Sequence, residues 1–308
     1  MFDKILNDCE FVIDNSKNVK INYKKLDDFI DKIDCSNLKN WLSNNPYNLL
    51  DLNIKDIINF LLFFESIDYS FWGVPKWSIN TPMGLKDGSD ALLYVLLKYY
   101  KENKLDGFIN LSINEFKEIL NGNVEIPLLN KRYETFCEIA NIVQNEMSGD
   151  FYNQIKAITN DIDLFNFIIN NFPSFKDERV YKGRTIRFYK LAQLLVSDIL
   201  HLREKIENIN VDYSNILGCA DYKIPQTLRA LGIIEYSREL ENLVDNKHEL
   251  EINSEYEIEI RASVIVVINY IKTKLNEKAI DINDYLYLYS KNVKEIAKPY
   301  HLCRNTNY

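Results

Sequence analysis

The chain of 308 residues is poor in glycine (nine), proline (seven) and histidine (three), and each shortage excludes something. There is no Gly-rich phosphate loop, no HExxH and no GxSxG, so the common nucleotide, zinc-protease and serine-hydrolase signatures are absent. His201, His248 and His301 lie far apart, and no local spacing suggests a metal site; neither a metal nor a cofactor is expected. The five cysteines, Cys9, Cys35, Cys137, Cys219 and Cys303, form no CxxC pair and no dense framework, a pattern suited to a reducing compartment. No apolar run approaches the roughly 20 residues that span a bilayer. The opening Met1-Phe2-Asp3-Lys4 interrupts its apolar residues with charge, unlike a signal peptide. An excess of positive charge is also missing. The formal net charge is -8, the reverse of what a broad nucleic-acid groove needs, although a local basic pocket for one phosphate remains compatible. These absences predict a soluble, cytoplasmic protein with neither membrane nor nucleic acid as partner.

Helical periodicity fills the space that is left. Hydrophobic residues make up 46% of the chain, enough to bury a real core. Ile54, Ile57, Ile58, Leu61 and Leu62 follow the spacing of one buried helix face, as do Leu191, Leu194, Leu195, Ile199 and Leu202, and Val264, Ile268, Ile271 and Leu275. Ser112 with Glu115 and Ser254 with Glu257 fit the capping box, and Gly122 and Gly232 sit where helices would stop. Residues 70–79 read as turn-rich and partly extended, and 181–186 as a tight hairpin before a helix over 186–202. Ser148-Gly149-Asp150 is a weak boundary signal. The fold class is therefore mostly α, a single helical domain over 1–308 with minor short strands.

Three places carry polar groups where chemistry could reside. Lys190, Gln193, Ser197 and His201 share one helix face with Asp198 beside them. Periodicity alone favours a solvated face; the apolar run Leu194-Leu195-Val196 favours a stripe lining a cavity. Asp221 precedes Pro225, which suits the first turn of a helix ending near Gly232. Capping would then be strained, because Asp221 as N-cap puts Pro225 at the fourth helical position. Cap and pocket acid both stay open. Asp284-Tyr285-Leu286-Tyr287-Leu288-Tyr289 and Tyr300-His301 cluster aromatics beside an acid, either as core or as a stacking surface for a base.

Taken in order, several segments resemble the queuosine salvage protein family, the queuosine 5'-phosphate N-glycosylase/hydrolases. They are Ser70-Phe71-Trp72, Ile126-Pro127-Leu128, Phe172-Pro173-Ser174-Phe175, the run from Phe188 to Asp198, Ala220-Asp221-Tyr222-Lys223-Ile224-Pro225-Gln226, Glu257-Ile258-Glu259-Ile260-Arg261, and the stretch with His301 and Arg304. The resemblance covers roughly residues 5 to 308. It implies a helical fold similar to the helix-hairpin-helix DNA glycosylases and a free nucleotide, queuosine 5'-monophosphate, as substrate. Hydrolysis would release queuine for tRNA modification, leaving ribose 5-phosphate. It assigns the catalytic carboxylate to Asp221. Lys190 is expected to help hold the substrate, with Cys219 and Tyr222 beside the catalytic acid. Asp284, Tyr285 and Tyr289 are expected in the queuine pocket, and His301 and Arg304 at phosphate or ribose.

This chain departs from the family pattern in four places. Leu191 stands where Arg is common, Cys219 where Phe is common, and Tyr289 where a pocket acid is found. Asn45 or a neighbour occupies the region of a usual His. Two other classes remain: a nucleic-acid base glycosylase, which the acidic balance and scarce glycine disfavour, and a helical nucleotide-binding module without chemistry.

Overall fold

The computed structural model describes residues 1–38, 40–42, 47 and 49–308; Asn45 lies outside the described residues. Helices α1 (Phe2–Asp14), α2 (Tyr23–Ile30), α3 (Ile54–Ser66), α4 (Gly88–Ile109), α5 (Ile113–Ile119), α6 (Leu129–Glu146) and α7 (Phe151–Ile155) come first. They are followed by α8 (Asp161–Asn171), α9 (Lys190–Leu202), α10 (Lys223–Ala230), α11 (Arg238–Asp245), α12 (Glu255–Leu275) and α13 (Ala279–Tyr289). Three two-stranded antiparallel ribbons complete the described architecture. In them β1 (Val19–Ile21) pairs with β6 (Ile234–Tyr236), β2 (Ser78–Thr81) with β3 (Gly84–Asp87), and β4 (Glu178–Tyr181) with β5 (Arg184–Arg187). The fold is mostly α, as the periodicity predicts. Among the described residues, no helix is long and apolar enough to cross a membrane.

Local chemistry sets the helix starts. Asn22, Asn53, Ser112, Asp150, Asn160, Ser237 and Ser254 each accept a hydrogen bond from a backbone N–H of the first turn that follows, satisfying donors a helix leaves unpaired. The Ser112–Glu115 capping box closes in both directions. The second box is half made: Ser254 caps α12, but Glu257 accepts instead from the backbone N–H of Asn253 and from Asn305. At the hairpin between β4 and β5, Lys182 and Gly183 both take positive φ (48° and 78°), which matches the twist of a two-residue turn. The hairpin claims residues 184–187 for β5, so the next helix begins at Lys190 rather than Ile186.

Packing then builds from three central helices. All thirteen residues of α9 are buried, as are residues 257–268 of α12 and 57–66 of α3. Burial on every side obliges their polar residues to find partners inside the protein. Arg132 on α6 donates to the carbonyls of Ile67, Tyr69, Ser70 and Pro127, and lies between the rings of Tyr69 and Phe71. It thereby fixes the segment after α3. Across the turn at Ser148-Gly149, Asp150 binds Lys55 and Asn59 on α3.

Arg261, at the middle of α12, is fully buried. Its guanidinium binds both oxygens of Asp177 (3.1 and 2.5 Å), donates to the carbonyl of Ala220 (3.3 Å), and lies between the rings of Phe188 and Tyr308. Burial works to raise the Asp177 pKa, but Arg261 and Arg179 outweigh it and hold the carboxyl below its ordinary value. Asp177→Ala is expected to cost about 3–5 kcal/mol of stability, the scale for stranding a buried charge. Adding Arg261→Leu should recover part of that loss in urea unfolding. An unchanged midpoint in the single variant would show that the pair contributes nothing.

Candidate active site

The loop 216–222 is held from three helices. Leu217 donates its N–H to Gln193 on α9, Cys219 to Asn283 on α13, and Ala220 accepts from Arg261 on α12. Gly218 has φ +104°, and a Cβ there would lie 2.7 Å from Ile268, so both conformation and space demand glycine. The loop delivers Asp221 to the start of α10. Its Oδ1 accepts from the backbone N–H of Lys223 (2.9 Å) and of Ile224 (2.8 Å). The helix begins one residue later than a cap at Asp221 would require, so Pro225 falls at the third position, where no N–H is needed. One carboxylate oxygen therefore caps the helix, while no described residue donates to Oδ2. Asp221 is half-buried. Burial raises its pKa, opposed by the Ile224 N–H, Lys190 and the Lys223 N–H, and the net direction is up.

The polar stripe of α9 is wholly internal. Lys190 lies with Nζ 3.5 Å from Asp68 Oδ2 and 3.3 Å from the Asp68 carbonyl. Burial works against its charge, but Asp68, Cys219, Asp221 and Glu65 prevail and raise its pKa. Gln193 bridges the Phe188 carbonyl and Leu217. Ser197 returns its hydroxyl to Leu194, and burial with nearby Lys205 lowers the pKa of His201. Asp198 accepts from the Trp41 indole at 2.8 Å. A solvated face is excluded.

Helix α13 holds the loop from another side. Asn283 Oδ1 takes the Cys219 N–H (2.9 Å), and its amide lies 3.3 Å from Asp284 Oδ1. Asp284 Oδ2 accepts from the Trp41 backbone N–H at 2.9 Å. Burial carries the Asp284 pKa up to about 7. Its neighbours divide by helix face. Tyr285 and Tyr289 pack on each other and on Phe29 of α2. Tyr287, one turn beyond Asn283 and Asp284, is the ring that Asp90, Asp221 and Asp68 influence; burial leads in raising its pKa. Tyr222 packs on Tyr300 (4.9 Å between centroids), and Lys223 lies 4.6 Å above the same ring. The thiol of Cys219 is buried, 3.9 Å from the Lys190 carbonyl, with its pKa pushed up by burial.

Two expected residues sit elsewhere. His301 is buried, 3.3 Å from the Tyr308 hydroxyl, and burial with Arg261 lowers its pKa to about 3. Arg304 lies over Trp72 and pairs with Glu249 at 3.3 Å. Neither has a described contact with Asp221, Lys190 or Asp284. Sequence reasoning missed Glu65, Asp68, Trp41, Asn283 and Lys223. For Glu65 a signal existed: a charge inside Phe63-Phe64-Glu65-Ser66, on a helix apolar nearly all round, needs an internal partner.

Asp221, Lys190 and Asp284 all act on Cys219 and so gather in one region an oriented carboxylate, a buried ammonium and an acid raised toward neutrality. Such a set can stabilise a developing cation, bind an anion and hydrogen-bond a heterocycle. The family model described as "Queuosine salvage protein" matches residues 49–308. A relative named queuosine 5'-phosphate N-glycosylase/hydrolase from Sphaerobacter thermophilus is 28% identical over 263 residues, covering 82% of this chain and 81% of that one. Proteins of the same name from Dictyostelium discoideum (26%, covering 85% and 84%) and Mus musculus (31%, covering 65% of each) are also similar.

The raised pKa of Asp284 has a stability consequence. Between its ordinary value of 3.8 and about 7, the folded state keeps a proton that the unfolded state has lost. Stability therefore falls as pH rises through that window and levels off above it. Asp284→Asn removes this slope. The variant is expected to be more stable than the wild type at pH 8, by at most roughly 4 kcal/mol, since each pKa unit is worth about 1.4 kcal/mol. Thermal unfolding at pH 5 and pH 8 checks it.

Proposed function

The chain belongs to the queuosine salvage protein family, and from that premise we propose that it hydrolyses the N-glycosyl bond of queuosine 5'-monophosphate, releasing queuine and ribose 5-phosphate. The observation that carries this reading is the state of Asp221: one oxygen pinned by two backbone N–H groups, the other without a donor among the described residues, in a loop braced from three helices.

Cleavage passes through an oxocarbenium-like state with positive charge on the ribose. Desolvation strengthens a carboxylate's response to that charge, and a fixed one needs no reorganisation to meet it. Asp221 Oδ2 is the group to face C1', and it can also take a proton from the attacking water. The water oxygen bonds to C1' and the bond to the base nitrogen breaks; that nitrogen takes a proton from solvent, and Asp221 returns to solvent the one it accepted from the attacking water. Queuine is a 7-deazaguanine and has no N7 to protonate, so its departure depends on the sugar-side carboxylate and on hydrogen bonds to the base. Asp284, with a pKa near 7, divides between donor and acceptor at neutral pH. It is the acid proposed to meet the guanine-like edge or the amine of the side arm. Cys219 and Tyr222 flank Asp221 in the chain and complete this wall. The substrate phosphate finds two ammonium groups that act on Asp221, Lys190 and Lys223. The substrate is a free nucleotide, and the likeness of the scaffold to helix-hairpin-helix glycosylases belongs to this same reading.

Asp221→Asn preserves a cap acceptor and is expected to fold, but to release queuine at least about 10²-fold more slowly, the scale for losing one electrostatic stabiliser. Chromatography of the freed base measures it; wild-type release would remove Asp221 from the mechanism. Lys223→Gln is expected to raise KM for the 5'-monophosphate about tenfold and to leave the plain nucleoside less affected. Equal effects on both would place the phosphate elsewhere.

A further inference from the structure

Two carboxyl groups beneath the site have no part in the chemistry described so far. Glu65, near the end of α3, and Asp198, midway along α9, are both fully buried. They lie within hydrogen-bonding reach of each other. Among the described residues, no N–H or O–H reaches either oxygen of Glu65 or Oδ1 of Asp198. Asp198 Oδ2 alone has a donor, the indole N–H of Trp41. Two ionised carboxylates in contact inside a core would repel, each without a donor for its facing oxygen. One proton between them removes a charge and makes a strong, charge-assisted hydrogen bond.

The surroundings favour that state. Facing Glu65 are Asp198, Asp68 and Lys190, and burial leads in raising its pKa. Facing Asp198 are Asp284, Glu65, Lys190 and the Trp41 indole, and burial again leads upward. Tyr213 and Cys219 also feel Asp198, and Asp281 reaches Asp284. Lys190, the one ammonium in this set, already pairs with Asp68. Trp41 connects the pair to the proposed base pocket through a single residue. Its indole N–H binds Asp198 at 2.8 Å, and its backbone N–H binds Asp284 at 2.9 Å.

We propose that Glu65 and Asp198 share one proton and, as a singly charged pair, anchor Trp41 so that its backbone N–H fixes the carboxyl group of Asp284. Glu65, Asp198 and Trp41 are positioning residues, and the inference rests on the reading of Asp284 as a base-binding acid. The shared proton also limits the negative charge under the site, where a substrate phosphate has to approach.

The proton is tested on the protein without substrate. Infrared difference spectra between wild type and Glu65→Gln/Asp198→Asn, taken at about pH 9, above the Asp284 value of about 7, isolate the pair from Asp284. A protonated-carboxyl C=O band that the double variant lacks is expected in the wild type. Its absence would overturn the shared proton. Positioning is tested by kinetics. Trp41→Phe keeps an aromatic ring but loses the indole donor. It is expected to raise KM for queuosine 5'-monophosphate about tenfold while kcat changes less than about threefold. Asp198→Ala should behave likewise, and Asp198→Asn, which keeps an acceptor for the indole and leaves Glu65 to carry the charge, should recover most of the loss. An unmoved KM in Trp41→Phe, or no recovery in Asp198→Asn, would overturn the positioning role. A wild type that releases no queuine would defeat the functional reading instead, since the infrared band is read without turnover.

Discussion

The buried guanidinium of Arg261 is the contact on which the other features depend. It joins three segments distant in sequence: Asp177 and Phe188 before α9, the Ala220 carbonyl in the loop 216–222, and the Tyr308 ring. Stripping an arginine of water is costly, and only a complete set of partners offsets it. The bidentate carboxylate, the carbonyl and the two ring faces together form such a set. The geometry of the Asp221 loop follows, because the backbone at Ala220 is held from the centre of α12 rather than from the surface. A catalytic group on a loop needs that support to keep its position within a fraction of an ångström.

The site's charge balance is uneven by design. Glu65, Asp68, Asp198, Asp221 and Asp284 crowd one region, and Lys190 is the ammonium buried with them. Such a field suits a cationic transition state and opposes a phosphate. The two demands are reconciled if only part of the acids carry charge. Asp68 is tied to Lys190, Asp221 is steadied by backbone N–H groups, and burial raises Asp284 toward neutrality. Each acid has a different environment, and so each can do different work from the same side chain.

Much of the scaffold could be read from the chain. The 3.6-residue spacing marks α3, α9 and α12 because these helices bury their apolar faces, and Asn53 and Ser254, which start α3 and α12, cap by a local rule. Asp221 stands out in the chain by its place before Pro225, and a local rule offers it either a cap or a pocket. In the structure one oxygen caps the helix that begins at Lys223, and no described residue donates to the other. Trp41 was not legible. Its indole meets a residue 157 positions away, and no local pattern announces such a partner. The tyrosines of α13 needed the helix's rotation: Tyr285 and Tyr289 share the face toward Phe29, whereas Asn283, Asp284 and Tyr287 share another.

A structure of the Asp221→Asn protein with intact queuosine 5'-monophosphate bears most directly on the account. It should place the ribose C1' about 3–3.5 Å from the residue 221 side chain, the separation of a reacting pair, with the base on the Asp284 side of the loop. A nucleotide bound with its sugar away from position 221 would contradict it.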